Sequence, residues 1–561
     1  MKKIFLILIA VMSFMSCDKT LDRLLNNPNG PSPDQADANL YLNQAQLSFA
    51  GFFNTASAFG MELTRMISMF GPRYDNAYSP QSYDGIWSTA YTGVIKHCNA
   101  LIPIADAQKR YVHVGMAKIM KAYTFMTLVD MFGDVPFTEA NKGVDNLNPK
   151  ADPGATVYAG AIALLDEAIV DLAKTSAATP GNQDLFFAGN ATRWITTAKT
   201  LKLRALMNTR LVDATAKTKI EAILNAGDII DADAKDWEFK YSKKGANPNS
   251  RHPRYNGNHT STGAGDYMGT YFMWSLIQEK GTGDANNDPR TRFYLYRQRT
   301  NYADVNENTI NCFGQAYPGH YATGLTNPYT GSTYDMPFCL LISGYWGRDH
   351  GDDSGIPPDG QYRTTVGVYP FGGRFDNNQG ANVAVDFGGQ GAGIQPLWQS
   401  SFTEFLRAEY ELMLNNNAAN ARTRLESGIR KSINKVINFP TAIAYPEAIP
   451  TTRIPDAARI DGYVNKVLTA YDNAATTSAK LNIIMKEYYM ALWGNGVDAY
   501  NMYRRTNKPE FIQYVLETNP GPFINSHLYP SVFVNRNLNA TQKANVGVQV
   551  FWDNWPANSR K

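Results

Sequence analysis

The chain has little charge imbalance, few cysteines and, beyond its first residues, no long apolar run. Its 561 residues set 53 basic against 50 acidic side chains, a formal charge of only +3. A nucleic-acid binder concentrates basic charge into a footprint, so that class is set aside. After residue 17 no run of 18 or more apolar residues occurs, which leaves no second candidate for a membrane-spanning helix. His252, His259, His320 and His350 are scattered, without the helical i, i+4 spacing that zinc sites use. No nucleophile elbow, phosphate loop or zinc-protease helix is present. No repeat of fixed period is visible either.

What is there begins at the first residue. Lys2 and Lys3 precede a short run from Ile4 to Met15, apolar but for Ser13, and Ser16-Cys17 follows. Basic, apolar, small residue, cut: residues 1–16 read as a secretory signal too short to span a bilayer stably. A small residue directly before Cys17 points to a lipoprotein cut, after which Cys17 carries acyl chains worth about 0.8 kcal/mol per buried CH₂. The plainer alternative is a secreted protein in which Cys17 is incidental. Residues 17–37 are polar and turn-rich, with Pro28, Pro31 and Pro33. Such a segment buries too little to fold alone and acts as a semi-extended tether. One globular unit is expected over residues 38–561.

Helical periodicity predicts helices over Tyr41–Met69, Ser82–Asp106 and His113–Phe132. In the third, Lys118, Lys121, Thr124, Thr127 and Asp130 form a narrow polar stripe, so the helix should be packed on most sides. Gly133 can take a left-handed cap and Pro136 blocks continuation. Amphipathic patterns follow at Val157–Leu172 and Trp194–Ala205. From about residue 231 to 395 the periodicity fades, except around Met268–Glu279, and Gly, Asn, Asp, Tyr and Pro dominate. So long a loop region is usually functional. Helices return at Gln399–Leu414, Asn417–Val436, Asp461–Asn473, Ser478–Trp493 and Val497–Arg505. Pro520–Trp555 has few helical signals and is expected along the surface of the bundle. Cys98 sits in an apolar helical pattern as a small buried hydrophobe. Cys312 and Cys339 lie in the loop region of an exported chain, where a disulfide is permitted.

Several segments resemble the SusD/RagB family of outer-membrane lipoproteins. They are Ile86-Trp87-Ser88-Thr89-Ala90-Tyr91 running to Leu101; Leu128-Val129-Asp130-Met131-Phe132-Gly133-Asp134-Val135-Pro136-Phe137; Asp288-Pro289-Arg290; Glu404-Phe405-Leu406-Arg407-Ala408-Glu409; and Lys486-Glu487-Tyr488 through Gly496, then Tyr503-Arg504-Arg505-Thr506. The resemblance implies an all-α fold of tetratricopeptide-like helix pairs with a long irregular ligand-binding region. It implies a protein of Bacteroidetes type, lipid-anchored in the outer membrane and facing the cell surface. It implies a SusC-like TonB-dependent transporter as partner, a glycan or peptide nutrient as ligand, and binding without catalysis. The loops depart from the starch-binding members, so starch does not carry over.

The motifs themselves read as structure. Gly133 to Pro136 is a helix stop, and Asp134 could cap the next turn. Glu404, Arg407, Glu409, Glu487, Arg504 and Arg505 suit buried carboxylate–guanidinium pairing between helices.

Ligand contacts are expected in the loops, because sugar C–H faces stack on aromatics while hydroxyls pair with Asp, Asn and Arg. One candidate segment is Arg73, Tyr74 and Tyr78, continuing to Tyr83 and Trp87. The other is Tyr345, Trp346, Arg348 and Asp349, continuing to Tyr362, with Trp346 the leading stacking residue. The competing reading is that these aromatics close the core. Asp349, Asp352, Asp353 and Asp359 could instead ligate a structural calcium, though without EF-hand spacing. Two rival functions stay open: a surface glycoside hydrolase using loop carboxylates such as Asp349 and Asp353, and a structural lid of the transporter with no ligand of its own.

Overall fold

A computed structural model describes residues 37–301, 310, 312–354 and 359–561. The signal, Cys17 and the tether lie outside the described residues. The fold is all-α in its scaffold. Helices α1 (Ala38–Leu63), α2 (Asp84–Ser88), α3 (Lys96–Ala107), α4 (Tyr111–Phe132), α5 (Gly154–Leu172), α6 (Ala191–Thr209) and α7 (Ala216–Ala226) form the first half. A π-helical turn, Thr89–Ile95, joins α2 to α3 without a break. The loop region carries the short helices α8 (Pro253–Asn258), α9 (Thr270–Ile277) and α10 (Thr291–Tyr294). The second half is α11 (Ser400–Met413), α12 (Ala418–Ala442), α13 (Ala457–Asn473), α14 (Thr477–Ala491) and α15 (Gly496–Thr506), with α16 (Ser531–Val534) near the end.

Side-chain caps start several of the helices. Asp37, Asn190, Asn417, Asp456, Thr476 and Asn495 each accept a backbone N–H of the first turn, contacts typically worth about 1 kcal/mol apiece. Sequence neighbours pack as pairs: α3 on α4, α4 on α5, α5 on α6, α11 on α12, and α13 on α14. The closing helix α15 returns to α1. Their contact is backbone-close, since a Cβ on Gly60 would lie 2.0 Å from the Gly496 carbonyl oxygen.

Helix α4 is buried along nearly its whole length; Tyr111, Lys118 and Lys121 are its residues outside the core. The expected polar stripe is therefore only half real. Thr124, Thr127 and Asp130 are interior, and Asp130 accepts hydrogen bonds from Tyr158, Asn501 and the Trp552 indole. Gly133 ends α4 at φ 76°, but its ψ of −118° lies outside the left-handed helical well. Asp134 then caps α5, accepting from Gly154 N at 2.8 Å.

Among the described residues three two-stranded antiparallel sheets brace the loops. Strands β1 (Trp237–Lys240) and β6 (Ile394–Trp398) pair Trp237 with Trp398. Strands β2 (Leu295–Arg297) and β5 (Thr364–Val366) pair Leu295 with Val366. Strands β3 (Leu325–Thr326) and β4 (Thr333–Tyr334) make a small hairpin.

Two further expectations need correction. Helix α1 stops at Leu63, short of Met69, because Arg65 takes φ 62° and buries its guanidinium on Leu63 O, Gln513 O and the Tyr74 hydroxyl. The C-terminal stretch does more than line the surface. Phe523, Ile524 and Trp552 are buried in the main core, and His527 N donates to Met131 O.

Candidate functional site

The two loop segments singled out from the sequence meet in the structure. The Tyr74 hydroxyl and His350 Nε2 share a hydrogen bond at 3.1 Å, and Leu516 N donates to the His350 carbonyl. Ser68 N donates to Tyr267 O, while Arg348 N donates to Met268 O at 3.0 Å. The loops after α1, before α9, around residue 350 and after α15 thus join at one place.

Most of the named residues hold that junction together from within. Tyr74, Tyr83, Trp87, Tyr345, Trp346, Arg348 and Asp349 are buried. Trp346, expected to stack on a ligand, is 2% exposed. It packs with Tyr267, Ile310 and the Cys312–Cys339 bridge in a small core beneath the loops. Tyr345 lies against Arg297, whose guanidinium carbon is 4.7 Å from the ring centroid. Trp87 sits among Tyr91, Phe132 and Phe533. These aromatics have no free face, so the core-closing alternative holds for them. Tyr78 is half-buried and donates to Glu62, Tyr362 is half-buried, and Arg73 pairs with Asp75 at the surface.

The calcium expectation finds no ligand set. Asp359 accepts from Arg363 and from the Tyr267 hydroxyl. Asp349 accepts from Cys339 N at 2.9 Å and Gln513 Nε2 at 2.5 Å. Asp352 accepts from Ser354 N, and Asp353 is exposed. Among the described residues no three His, Cys, Asp or Glu side chains gather as a metal would require. Burial pushes the Asp349 carboxyl up to about 7, opposed by its donors Cys339 N and Gln513.

The permitted disulfide is formed: Cys312 and Cys339 are bonded at 2.00 Å. It closes a loop that carries one end of an aromatic seam that sequence reading missed. Phe70, 46% exposed, meets Tyr267 at 5.7 Å between ring centroids. Tyr267 is edge-on to Trp346 and clasped by two guanidinium groups, Arg348 at 4.2 Å and Arg363 at 3.6 Å. Across the bridge, Tyr317, 39% exposed, meets Phe338 and Tyr321, and Tyr321 meets the half-buried Tyr514. Phe70 falls just past the helix expected over Tyr41–Met69, before Gly71-Pro72. Tyr317 lies between Phe313 and Tyr321 in a stretch without periodicity. Neither carries a local signal of its position.

The charged motif residues pair as expected. Glu409 takes Arg505 through two oxygens and Arg210 through one, at 2.8–3.3 Å, all buried or nearly so. Glu487 lies between Lys280 and Arg290, and Asp288 takes Arg290 at 2.6 Å. Glu404 takes Lys431, Arg424 and, more distantly, Arg407. Arg504 differs: it donates to Asn525 O and Asn501 Oδ1 instead of a carboxylate.

Paired helices carrying an aromatic face on bridged loops define a helical scaffold with a loop-borne surface suited to binding. A family model described as "Starch-binding associating with outer membrane" matches residues 29–337, and one described as "Susd and RagB outer membrane lipoprotein" matches residues 393–547. The chain belongs to the SusD/RagB family. Similar solved structures include a SusD/RagB family protein from Bacteroides thetaiotaomicron (17% identity, 92% of this chain and 99% of that one, TM-score 0.66). A SusD homologue from Bacteroides fragilis gives 17%, 92%, 99% and 0.62. A chitin-binding SusD homologue from Flavobacterium johnsoniae gives 18%, 91%, 99% and 0.57. At these identities the structural likeness establishes the fold alone. No curated protein matches significantly. Outer-membrane lipoprotein and carbohydrate binder are the family's descriptions, and among the described residues no helix is long and apolar enough to cross a membrane.

Proposed function

We propose that the protein captures an oligosaccharide at the cell surface and passes it to a SusC-like TonB-dependent transporter, without chemistry of its own. The observation that carries this reading is the aromatic seam surfacing at Phe70 and Tyr317 over a disulfide-closed loop. Exposed aromatics next to fixed guanidinium groups suit the C–H faces and hydroxyls of a sugar. Family membership and the printed name of the chitin-binding relative make a β-linked amino-sugar oligomer the first ligand to try. Lipidation at Cys17 and surface orientation belong to the same proposal, since a tethered capture protein needs reach as well as an anchor.

The hydrolase alternative gains nothing from its proposed carboxylates. Asp349 is interior and already accepts two hydrogen bonds, while Asp353 is exposed. A panel of chitin, starch and peptide oligomers incubated with the protein tests the reading. Retention of a glycan, unchanged in length after long incubation, is the expected result. Release of shortened products would overturn it.

A further inference from the structure

A cavity of about 770 Å³ shares no lining residue with the loop junction. It opens between β1, β6, the end of α12 and the start of α6. Its size falls in the range of ligand pockets, roughly 300–1,000 Å³. Phe186, Phe439 and Ile394 supply apolar wall.

The charges around it are not evenly used. Lys435 bridges Asp236 at 3.0 Å and Glu238 at 2.6 Å. Asp236 also accepts from Ser400 N, Glu238 from Gln399 Nε2, and Asp233 from the Ser400 hydroxyl. The acidic side of the cavity is therefore occupied by the protein's own donors. The basic side is not. Among the described residues Arg193 and Lys240 have no carboxylate at ion-pair distance, and the Lys243 ammonium is spent on Ala444 O, a neutral acceptor. Arg193 is partly buried, its guanidinium carbon 4.5 Å from the Phe187 ring centroid, and its Nε is buried without an acceptor. A partly desolvated guanidinium ordinarily takes a carboxylate; here the space beside it is open.

We infer that this cavity binds a sugar acid, its carboxylate or sulfate held by Arg193 and Lys240 and its ring against the half-buried Phe186. Across the whole lining, Arg193, Lys240, Lys243 and Lys435 stand against Asp233, Asp236 and Glu238, so one added negative charge leaves the cavity balanced. This site is separate from the proposed capture surface and does not depend on it.

The test titrates the full chain with three probes: a galacturonic acid trimer, a sulfated disaccharide, and a neutral galactose trimer. Arg193→Gln and the surface change Lys240→Gln are compared with wild type, and the exposed Leu538→Ala serves as control. Charged hydrogen bonds of this kind cost roughly tenfold or more in affinity when lost. One acidic probe should bind, the neutral trimer should bind at least tenfold more weakly, both charge variants should weaken binding, and Leu538→Ala should leave it unchanged. Preference for the uronate or the sulfate names the source of the anion. Failure of both acidic probes to bind, equal binding of the neutral trimer, or indifference to both charge variants would overturn the inference.

Discussion

Glu409→Leu tests whether the family's charged motif is a structural clamp. Glu409 is fully buried and holds Arg505 and Arg210, whose side chains are 3% and 4% exposed. Burial pushes the Glu409 carboxyl up, and the two guanidinium groups more than reverse this, leaving it below its usual range. Removing it strands two cations side by side; Arg505 keeps only Asn208 Oδ1 as a polar acceptor. Breaking a buried pair from one side costs about 3–5 kcal/mol, because the survivor stays desolvated. With an unfolding entropy near 2.1 cal/mol/K per residue, a folded part of this length loses on the order of 1.1 kcal/mol per kelvin, so ~4 kcal/mol lowers Tm by about 4 °C. The companion Glu409→Leu/Arg505→Leu should recover roughly half of the loss, since one stranded charge is removed with its partner. Urea unfolding followed by tryptophan fluorescence reads both variants. A loss under about 1 kcal/mol for the single change, or simple additivity in the double, would refute the clamp.

Two further changes probe the loop junction. Asp349 has a folded pKa near 7, above its unfolded value, so its contribution is full below pH 4 and is lost as pH rises to about 7. Asp349→Asn removes that dependence: wild-type stability relative to the variant should fall by on the order of 4 kcal/mol between pH 4 and 8, and a difference that stays constant with pH in parallel urea titrations would contradict it. Gly347 has no room for a side chain, its Cβ position lying 1.9 Å from Met268 O and 2.8 Å from Met268 C. Gly347→Ala should lower the unfolding free energy read from urea titration by about 2 kcal/mol or more in the manner of overpacked sites, whereas Gly462→Ala, with nothing within 4 Å on α13, should be neutral or mildly stabilising.

How much of this was legible depended on how local each cause is. The long helices showed through because a period of 3.6 is written in a dozen side chains at once, and caps such as Asn417 and Asn495 mark their starts. Helix α7 passed unnoticed: Ile220 and Ala216 are its buried positions, set among Lys217, Lys219 and Glu221. The end of α1 was misplaced because Arg65 turns the chain to reach Gln513, a partner more than four hundred residues away. The site was the least legible part. An aromatic in an irregular loop looks the same whether it faces a ligand or the core, and its fate is set by distant neighbours. Trp346 faces inward because Tyr267 and the Cys312–Cys339 bridge enclose it. Phe70 faces outward because α1 ends early and the following segment carries it to the junction.

The central claim is that Phe70 and Tyr317 form the glycan-capturing face. Isothermal titration of whichever oligosaccharide the wild-type protein retains, repeated with Phe70→Ala/Tyr317→Ala and with the interior control Trp87→Phe, tests it most directly. Loss of two stacking faces should weaken binding by roughly tenfold or more, with the control near wild type and the ligand intact after the titration. Unchanged affinity in the double variant would contradict the account.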